Sequence, residues 1–208
     1  MKKVFVVGPA KHYSKWIKDH VIVEKLEDAD IVLFTGGEDV DPSLYGCQRH
    51  RTTSSNLNRD LEEKIIFEQV RPDQLCLGIC RGSQFLCVMN GGLLIQNVSN
   101  HAIFGTHQII NAMDSDRRYE ITSTHHQMQY PFNLTRHSDF EVLYYAARRS
   151  QYYEGSQIGD VPCEPEVVLY TVEGKPKCLA IQGHPEFMRD EAPVIEMLNK
   201  LVDKYVVK

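Results

Sequence analysis

Positive charge is in short supply in this sequence of 208 residues. Lysine and arginine number 23 against 28 aspartates and glutamates, so the formal net charge is −5, and no basic tract occurs. Nucleic acids and anionic membranes attract clustered Lys and Arg, so this composition argues against both as partners. No apolar run approaches the ~18–20 residues that span a bilayer. The first apolar stretch stops at Gly8-Pro9, short of the ~7–15 apolar residues of a signal peptide, so we expect a cytoplasmic protein.

No pair among the six cysteines has the C-x-x-C spacing of a zinc knuckle or a thioredoxin-type redox site. A chain of this length can bury a sizeable core and does not need disulfides for its stability. We therefore expect Cys76, Cys87 and Cys178 to be small, buried apolar residues.

Short apolar runs that end in turn residues alternate with helical patterns along the first half of the chain. They predict strands at Lys3–Gly8, Asp30–Phe34 and Leu75–Ile79, a helix from Asn58 or Asp60 to Val70, and a helix at Gln84–Met89. The second half is predicted to be mostly strands, at Thr106–Ala112, Tyr119–Thr122, Glu141–Ala146, Glu166–Val172 and Cys178–Gln182. Arg148–Glu166 is predicted to be a loop or lid, and Glu191–Tyr205 an amphipathic helix. This order indicates one mixed α/β domain over residues 1–208, with a parallel sheet at the front.

A cysteine lies between two glycines where an apolar strand turns into a helical pattern, in Gly78-Ile79-Cys80-Arg81-Gly82. The arrangement has the physics of the G-x-S-x-G nucleophile elbow, because glycines two residues away let neighbouring backbone pass closely without a Cβ clash. A thiol at a helix N-terminus is favoured as the thiolate, and the next N–H, that of Arg81, can stabilise an acyl oxyanion. A buried structural cysteine in a tight turn is the alternative at this point.

A histidine and a glutamate follow a later apolar strand, in Gln182-Gly183-His184-Pro185-Glu186. Pro185 favours an extended backbone at His184, and residues two apart in an extended chain point to the same side. The Glu186 carboxylate can therefore orient the imidazole, as the third member of a catalytic triad does. Upstream, Gly36-Gly37 follows a buried strand and can present a second backbone N–H to an oxyanion, although a plain turn is the alternative there.

Together these segments resemble the class I glutamine amidotransferases, and within them the gamma-glutamyl hydrolase branch. The matching segments occur in family order over residues 36–186: Gly36-Gly37-Glu38-Asp39-Val40-Asp41-Pro42 with Tyr45-Gly46, Arg59-Asp60 with Glu63, Gly78–Gln84, Asn90-Gly91-Gly92, Ser123-Thr124-His125-His126-Gln127 and His184-Pro185-Glu186. The resemblance implies a three-layer α/β/α sandwich with a mostly parallel central sheet, of the flavodoxin-like kind. The sequence departs from the family at Thr35, where Pro is frequent, and at Gly183, where many members have Phe or Trp. We expect the missing aromatic side chain either to loosen the wall of the pocket or to leave room for a larger leaving group.

The resemblance also implies a role for individual residues. Cys80 would be the nucleophile, His184 the general base and then acid, and Glu186 the residue that orients it. The backbone N–H groups of Gly37 and Arg81 would form the oxyanion hole. No cofactor is implied.

The same resemblance implies which residues hold the glutamyl part of the substrate, namely Gln84, Ser123, His125 and His126. With His101 and His107, these histidines could suggest a metal cluster, since histidine is a common ligand. No H-E-x-x-H or matched carboxylate pattern accompanies them, so we expect no metal site.

The resemblance, together with the complete Cys/His/Glu set, implies cysteine-dependent hydrolysis of a γ-glutamyl amide, in glutamine or a γ-glutamyl amine, through a γ-glutamyl thioester. The same chemistry would serve a glutaminase subunit that supplies ammonia to a separate synthetase in trans, and the triad does not separate the two. A catalytically silent relative is a third hypothesis, which the intact triad argues against. A homodimer is a further expectation for the assembly.

Overall fold

The computed structural model describes residues 1–8, 10–103, 105–147 and 149–206, without the side chain of His137. Its strands are β1 Lys2–Val7, β2 His20–Ile22, β3 Ile31–Phe34, β4 Leu75–Ile79, β5 Leu93–Ile95, β6 Asn97–Val98, β7 Thr106–Asn111, β8 Arg118–Thr122, β9 Met128–Tyr130, β10 Phe140–Ala146, β11 Tyr153–Glu154, β12 Pro165–Tyr170 and β13 Cys178–Ile181. Its helices are α1 Leu57–Gln69, α2 Arg81–Met89 and α3 Pro193–Tyr205, and short 3₁₀ turns occupy several of the connections.

A large central sheet runs through the molecule. Within the described residues it has nine strands, in the order β2-β1-β3-β4-β13-β12-β10-β7-β8. The first five form one parallel block, and the remaining four extend it through antiparallel pairs. Two short pairs, β6 with β11 and β5 with β9, lie outside this sheet. The predicted α/β class, with helices around a large sheet whose main block is parallel, is confirmed.

The middle strands of the sheet are buried on both faces. Along β3, Ile31 and Leu33 point to one face and Val32 and Phe34 to the other, since alternate side chains of a strand point to opposite sides. The first face packs against α3, and the second packs against α1 and α2. Each fully buried side chain of this kind contributes roughly 1.5–3 kcal/mol relative to an exposed one. This three-layer packing explains why these strands are continuous apolar runs in the sequence.

Helix α1 begins earlier than the sequence predicts. Its N-cap is Asn56, whose Oδ1 accepts a hydrogen bond from the N–H of Arg59 at 3.3 Å, and the predicted caps Asn58 and Asp60 lie inside the helix. The carboxylate of Asp60 instead forms a buried ion pair with Arg81. The prediction of the cap was wrong because a tertiary contact, which no local pattern encodes, uses that carboxylate.

The segment predicted to be a loop between 148 and 166 is partly structured. Arg148 itself lies outside the described residues. Strand β11 pairs with β6, and β12 already begins at Pro165. The hydroxyl of Tyr153 donates to Oε1 of Glu164 at 2.7 Å, which ties the segment to the start of β12.

Some expectations concern the whole protein rather than its fold. No helix in the described ranges combines the length and the apolar character that crossing a membrane requires. The cytoplasmic location, the single domain over residues 1–208 and the homodimer stay predictions. Cys76, Cys87 and Cys178 are buried free thiols, as expected.

Candidate active site

Cys80 occupies the sharp turn between β4 and α2. Its backbone φ of 52° and ψ of −111° lie in a region that residues with a side chain rarely adopt. Two glycines make the turn possible, because a Cβ on Gly78 would lie 2.5 Å from the carbonyl oxygen of Gly82, and a Cβ on Gly82 would overlap the carbonyl group of Phe34. Helix α2 starts at the next residue, Arg81, so the cysteine lies at a helix N-terminus as predicted.

Two neighbouring parallel strands bring the cysteine and the histidine together. Strands β4 and β13 pair with Ile79 opposite Ile181, so both end at the same edge of the sheet. The N–H of Cys80 donates to the carbonyl of Ile181 at 2.8 Å, and His184 follows three residues later. The carboxyl ends of parallel strands are where open α/β sheets place their ligand sites.

His184 is held by a carboxylate and interacts with the thiol of the elbow. Its Nδ1 lies 2.7 Å from Oε1 of the fully buried Glu186. Burial alone would lower the pKa of His184, but its interactions with Cys80 and with Glu186 raise it to about 10. The imidazole is therefore held in its charged form at neutral pH beside the side chain of Cys80. The structure thus brings together the three residues that the sequence indicates as a triad.

These groups open into a cavity of about 380 Å³, a volume typical of sites for small molecules. Seven of the predicted site residues line it: Gly37, Cys80, Arg81, Gln84, His125, His126 and His184. The cavity is completed by residues to which sequence reasoning gave no individual role: Glu38, Asp39, Ser54, Thr124 and Gln127. Most of these lie within the quoted motifs, so the motifs locate the wall even where they do not assign each side chain.

Arg59 fixes the orientation of the Gly36-Gly37 turn. Its Nη2 donates to the carbonyl of Gly36 at 3.0 Å. In a trans peptide the carbonyl and the following N–H point in opposite directions, so the N–H of Gly37 points away from Arg59. Gly37 has a φ of 136° and lines the cavity, and its N–H makes no hydrogen bond within the described part of the chain. Arg81, as the first residue of α2, has an N–H without an intrahelical partner, so both predicted oxyanion donors lie at the cavity.

The side chain of Arg81 serves a different purpose from its backbone. It is buried and forms ion pairs with Asp60 and Glu63 of α1. Glu63 also accepts a hydrogen bond from Nε of Arg59 at 2.8 Å. Arg59, Asp60, Glu63 and Arg81, which we call the α1 network, contain two positive and two negative charges. This balanced network connects the elbow to the Gly36-Gly37 turn.

One wall of the cavity carries paired charges. Oδ1 of Asp39 lies 3.1 Å from Nε2 of His126, and Oδ2 of Asp39 accepts a hydrogen bond from the N–H of Ser54 at 2.8 Å. The hydrogen bond with Asp39 raises the pKa of His126. Nearby, Nε2 of Gln84 donates to the carbonyl of Gln127 at 2.9 Å. Gln84 and His126 therefore lie where the sequence predicts, and their contact with a ligand stays a prediction.

One of the predicted substrate contacts, Ser123, lies outside the residues that line the cavity. Ser123 is fully buried, and its hydroxyl donates to the carbonyl of His101 at 2.6 Å. His125 borders the cavity, but its Nδ1 lies 2.8 Å from a backbone carbonyl and its Nε2 lies 3.5 Å from Oε1 of Glu166. His125 and His126 both line the cavity, and the ring nitrogens of His125 face protein groups behind this wall.

Two aromatic residues that sequence reasoning passed over pack near His184. The ring of Phe187 stacks on the imidazole, with 5.0 Å between centroids and 15° between planes. The ring of Tyr13 lies 6.2 Å from the imidazole between centroids. Burial, together with the charges of Glu186 and Cys80, raises the pKa of Tyr13 to about 12, so its hydroxyl stays protonated. Tyr13 lies in a 3₁₀ turn far from every motif, so no local signal could have indicated it.

Gly183 does not open the space that its missing side chain suggests. A Cβ there would lie 2.7 Å from Cδ1 of Ile121 and 2.9 Å from the carbonyl oxygen of Thr122. Ile121 belongs to the buried core, so strand β8 fills the position that an aromatic side chain would need. The expected extra room for a leaving group at Gly183 is therefore wrong.

Residues 15–137, more than half of the chain, match the sequence profile of Peptidase C26. The chain belongs to the Peptidase C26 family. This Peptidase C26 chain is similar to the Mycobacterium tuberculosis protein Rv2859c, whose provisional name is glutamine amidotransferase. The two are 27% identical over 180 residues, which cover 86% of this chain and 56% of the other. The chain thus spans little more than half the length of that relative.

Two solved structures share the fold of this Peptidase C26 chain. A glutamine amidotransferase from Thermotoga maritima superposes with a TM-score of 0.56 at 16% identity, covering 100% of this chain and 86% of the other. A Thermoplasma acidophilum protein, provisionally named as one of the subunits of GMP synthase, gives a TM-score of 0.57 at 17% identity, covering 98% of both chains. At such identities the likeness establishes the fold alone, which is that of glutamine amidotransferase structures.

Proposed function

We propose that the protein hydrolyses a γ-glutamyl amide bond, in glutamine or a γ-glutamyl amine, through a thioester on Cys80. One observation carries the proposal: Cys80 interacts with His184, whose ring is held by Glu186, at a cavity that two backbone N–H groups reach. Membership of Peptidase C26 and the similarity to a relative named as a glutamine amidotransferase support a glutamyl amide as the substrate class.

In the first half-reaction, the thiolate of Cys80 attacks the side-chain carbonyl carbon of the γ-glutamyl group. The carbonyl oxygen becomes negatively charged and is stabilised by the N–H groups of Gly37 and Arg81. The charged His184 then gives its proton to the leaving nitrogen, and the carbon–nitrogen bond breaks. Ammonia or an amine departs, while the acyl group remains on the sulfur.

In the second half-reaction, the neutral His184 takes a proton from a water molecule whose oxygen attacks the thioester carbon. The carbon–sulfur bond breaks, the sulfur leaves as a thiolate beside the imidazolium, and the acid product loses its proton to solvent. Glu186 keeps Nδ1 of His184 protonated throughout, so the transferred proton resides on Nε2. The triad thereby returns to its starting state.

The charged wall of the cavity suits the two ends of a glutamyl group. The α-ammonium of such a substrate would be recognised by the carboxylates of Glu38 and Asp39. The α-carboxylate would be recognised by His126, because its hydrogen bond with Asp39 stabilises the charged imidazole. Gln84 at the base of the wall supplies a neutral polar contact.

The test of this proposal compares two cysteine variants. Cys80→Ala removes the nucleophile, while Cys47→Ala changes a half-buried free thiol outside the cavity lining. Each protein is incubated with glutamine and a panel of γ-glutamyl amines, and released ammonia or amine is measured. We expect release by the wild type and by Cys47→Ala only, with a γ-glutamyl adduct on Cys80 detectable by mass spectrometry. Release by Cys80→Ala at the wild-type rate would refute the proposal.

A second candidate is a glutaminase subunit that passes ammonia to a separate synthetase. The fold likeness to a protein provisionally named as one of the subunits of GMP synthase favours it. Basal glutaminase activity distinguishes the two functions. An activity that is near zero alone and rises sharply with a partner and its acceptor would favour the subunit role, while a high basal rate on a γ-glutamyl amine would favour the hydrolase.

A further inference from the structure

A cluster of buried histidines and glutamates lies behind the wall that residues 123–127 form. We call the group of His101, His107, His125 and Glu166 the histidine cluster. Three ring nitrogens surround Oε1 of Glu166: Nδ1 of His101 at 3.2 Å, Nε2 of His107 at 3.1 Å and Nε2 of His125 at 3.5 Å. None of the four residues is more than 6% exposed, and the proposed reaction uses none of their side chains.

With protein groups alone, several polar atoms of the histidine cluster lack a complementary hydrogen-bond donor or acceptor. A neutral imidazole has one N–H. At His125 the carbonyl of Gln127 lies 2.8 Å from Nδ1, and at His101 the carboxylate of Glu164 lies 3.1 Å from Nε2. If both rings are neutral, these acceptors engage the N–H groups, and each remaining nitrogen presents a lone pair toward the Glu166 carboxylate, which is itself an acceptor.

The mismatch leaves several buried polar atoms without a partner. Among the residues that the structure describes, Nδ1 of His101, Nε2 of His125 and both carboxylate oxygens of Glu166 make no hydrogen bond. Both ring nitrogens of His107 likewise make no hydrogen bond within the described part of the chain. A buried polar atom left unsatisfied is costly, so a positive charge among these side chains, either a proton or a bound cation, would stabilise them.

A divalent metal ion fits the donor atoms and their spacing. Imidazole nitrogens and carboxylate oxygens bind zinc at ~2.0–2.2 Å. In a tetrahedral site with such bonds, neighbouring donor atoms lie about 3.3 Å apart. The nearest ring nitrogens of His101 and His125 lie 3.2 and 3.5 Å from Oε1 of Glu166, close to that edge length. His101, His125 and Glu166 each offer a donor atom within 4.8 Å of the other two.

The surroundings of the cluster resemble the supports of metal ligands. Histidine ligands usually donate their second N–H to a carboxylate or a backbone carbonyl, which fixes the ring. The carboxylate of Glu164 is the acceptor beside the second ring nitrogen of His101, and the carbonyl of Gln127 is the acceptor beside that of His125. The two buried carboxylates, Glu164 and Glu166, carry two negative charges, which a divalent cation would balance.

We propose that His101, His125 and Glu166 bind a divalent metal ion of the zinc type, with His107 beside the same oxygen of Glu166. The proposed reaction uses none of these side chains, so we assign the ion a structural rather than a catalytic role. Sequence reasoning expected no metal site because no carboxylate pattern lies near the histidines in the chain. The carboxylate comes from Glu166 on β12, which only the folded sheet brings to them.

A bound ion would also stiffen the wall of the candidate active site. The carbonyl of Gln127 faces Nδ1 of His125 at 2.8 Å and accepts from Nε2 of Gln84 at 2.9 Å. Fixing His125 therefore fixes the segment that positions Gln84 and His126 at the cavity.

The experiment measures metal directly and does not depend on catalysis. The full chain is analysed for metal by mass spectrometry, stripped with a chelator, and then titrated with Zn²⁺ alone. We expect about one zinc ion per chain and a higher midpoint of thermal unfolding with zinc. Co²⁺ in its place should give the visible absorption of a tetrahedral centre. The matched control is His12→Gln, which changes an exposed histidine outside the cluster. This variant should bind zinc as the wild type does.

Two further variants separate loss of the site from loss of the fold. Glu166→Gln should abolish binding of one equivalent of zinc. Glu164→Gln keeps all three ligands and should weaken zinc binding by about 10–100-fold, since it removes only a supporting carboxylate. The proposal is overturned if the folded, metal-free wild type takes up neither zinc nor cobalt, because protonated imidazoles would then satisfy Glu166. Unchanged binding by Glu166→Gln would equally overturn it.

Discussion

The α1 network offers a direct test of how the candidate active site is held, through the single residue Glu63. Its side chain is 4% exposed, accepts a hydrogen bond from Arg59 at 2.8 Å and forms an ion pair with Arg81. The substitution Glu63→Gln keeps the size of the side chain and removes its negative charge. Two largely buried arginines would then share the one remaining carboxylate, that of Asp60.

The expected cost follows from the burial of these charges. Removing one partner of a buried ion pair costs about 3–5 kcal/mol, because the other charge stays buried without compensation. A glutamine oxygen can still accept one hydrogen bond, so we expect the free energy of unfolding of Glu63→Gln to fall by about 3 kcal/mol, the lower end of that range. Arg59 would also hold the carbonyl of Gly36 less firmly, so the turnover rate should fall toward the ~10²–10³-fold loss typical of a missing oxyanion donor.

Two quantities are measured: the urea unfolding transition, detected by fluorescence, and the rate of γ-glutamyl amide hydrolysis. The control is Glu62→Gln, which removes the same charge from an exposed position one residue earlier in α1. A surface charge there should change the free energy of unfolding by less than about 1 kcal/mol. If Glu63→Gln and Glu62→Gln unfold at the same urea concentration with equal slopes, the α1 network does not carry the stability assigned to it.

Four other changes test separate parts of the site. Gly37→Ala should lower the hydrolysis rate by about 10²–10³-fold, because a Cβ there would overlap the guanidinium behind the turn. Glu186→Gln should lower the rate by up to about 10⁴-fold and slow labelling by a glutamine-analogue electrophile, since Nδ1 of His184 loses its charged acceptor. The raised pKa of His184, about 10 against an ordinary 6.5, stabilises the fold below pH 6.5 and this contribution is lost toward pH 10. The free energy of unfolding should therefore fall over that range, and fall less in His184→Gln. Gly183→Phe should lower the thermal midpoint, with a cost of about 1–3 kcal/mol, because Ile121 occupies the space.

The elbow and the His184-Pro185-Glu186 segment could be predicted because their geometry is set within a few residues. Glycines on either side of Cys80 permit the turn, and the spacing of two between His184 and Glu186 lets the carboxylate reach the ring. What the sequence could not supply is the register of β4 against β13, which places the two segments at one edge of the sheet. That pairing joins residues about a hundred positions apart and depends on the whole parallel block.

The errors in the predicted site have the same physical origin. The motif that contains Ser123 was found, but which of its side chains reach the cavity depends on how this segment lies against the rest of the fold. The motif Arg59-Asp60 with Glu63 was found too. The sequence indicated Arg81 only as a backbone oxyanion donor, however, and did not indicate that its side chain pairs with Asp60 and Glu63. Contacts between distant segments decide both cases, and local patterns do not encode them.

The geometry of the Gly36-Gly37 turn bears on the choice between an independent hydrolase and a partner-dependent glutaminase. A glutaminase that waits for its synthetase needs some part of the site to be incomplete until the partner binds. Here Arg59 holds the carbonyl of Gly36, so the following peptide N–H, that of Gly37, is turned toward the cavity. Arg59 is itself fixed by Glu63, which also pairs with Arg81 at the other oxyanion donor. Because one network sets both donors, the hydrolase proposal predicts a high basal rate for the chain alone, and a basal rate near zero that rises with a synthetase would contradict it.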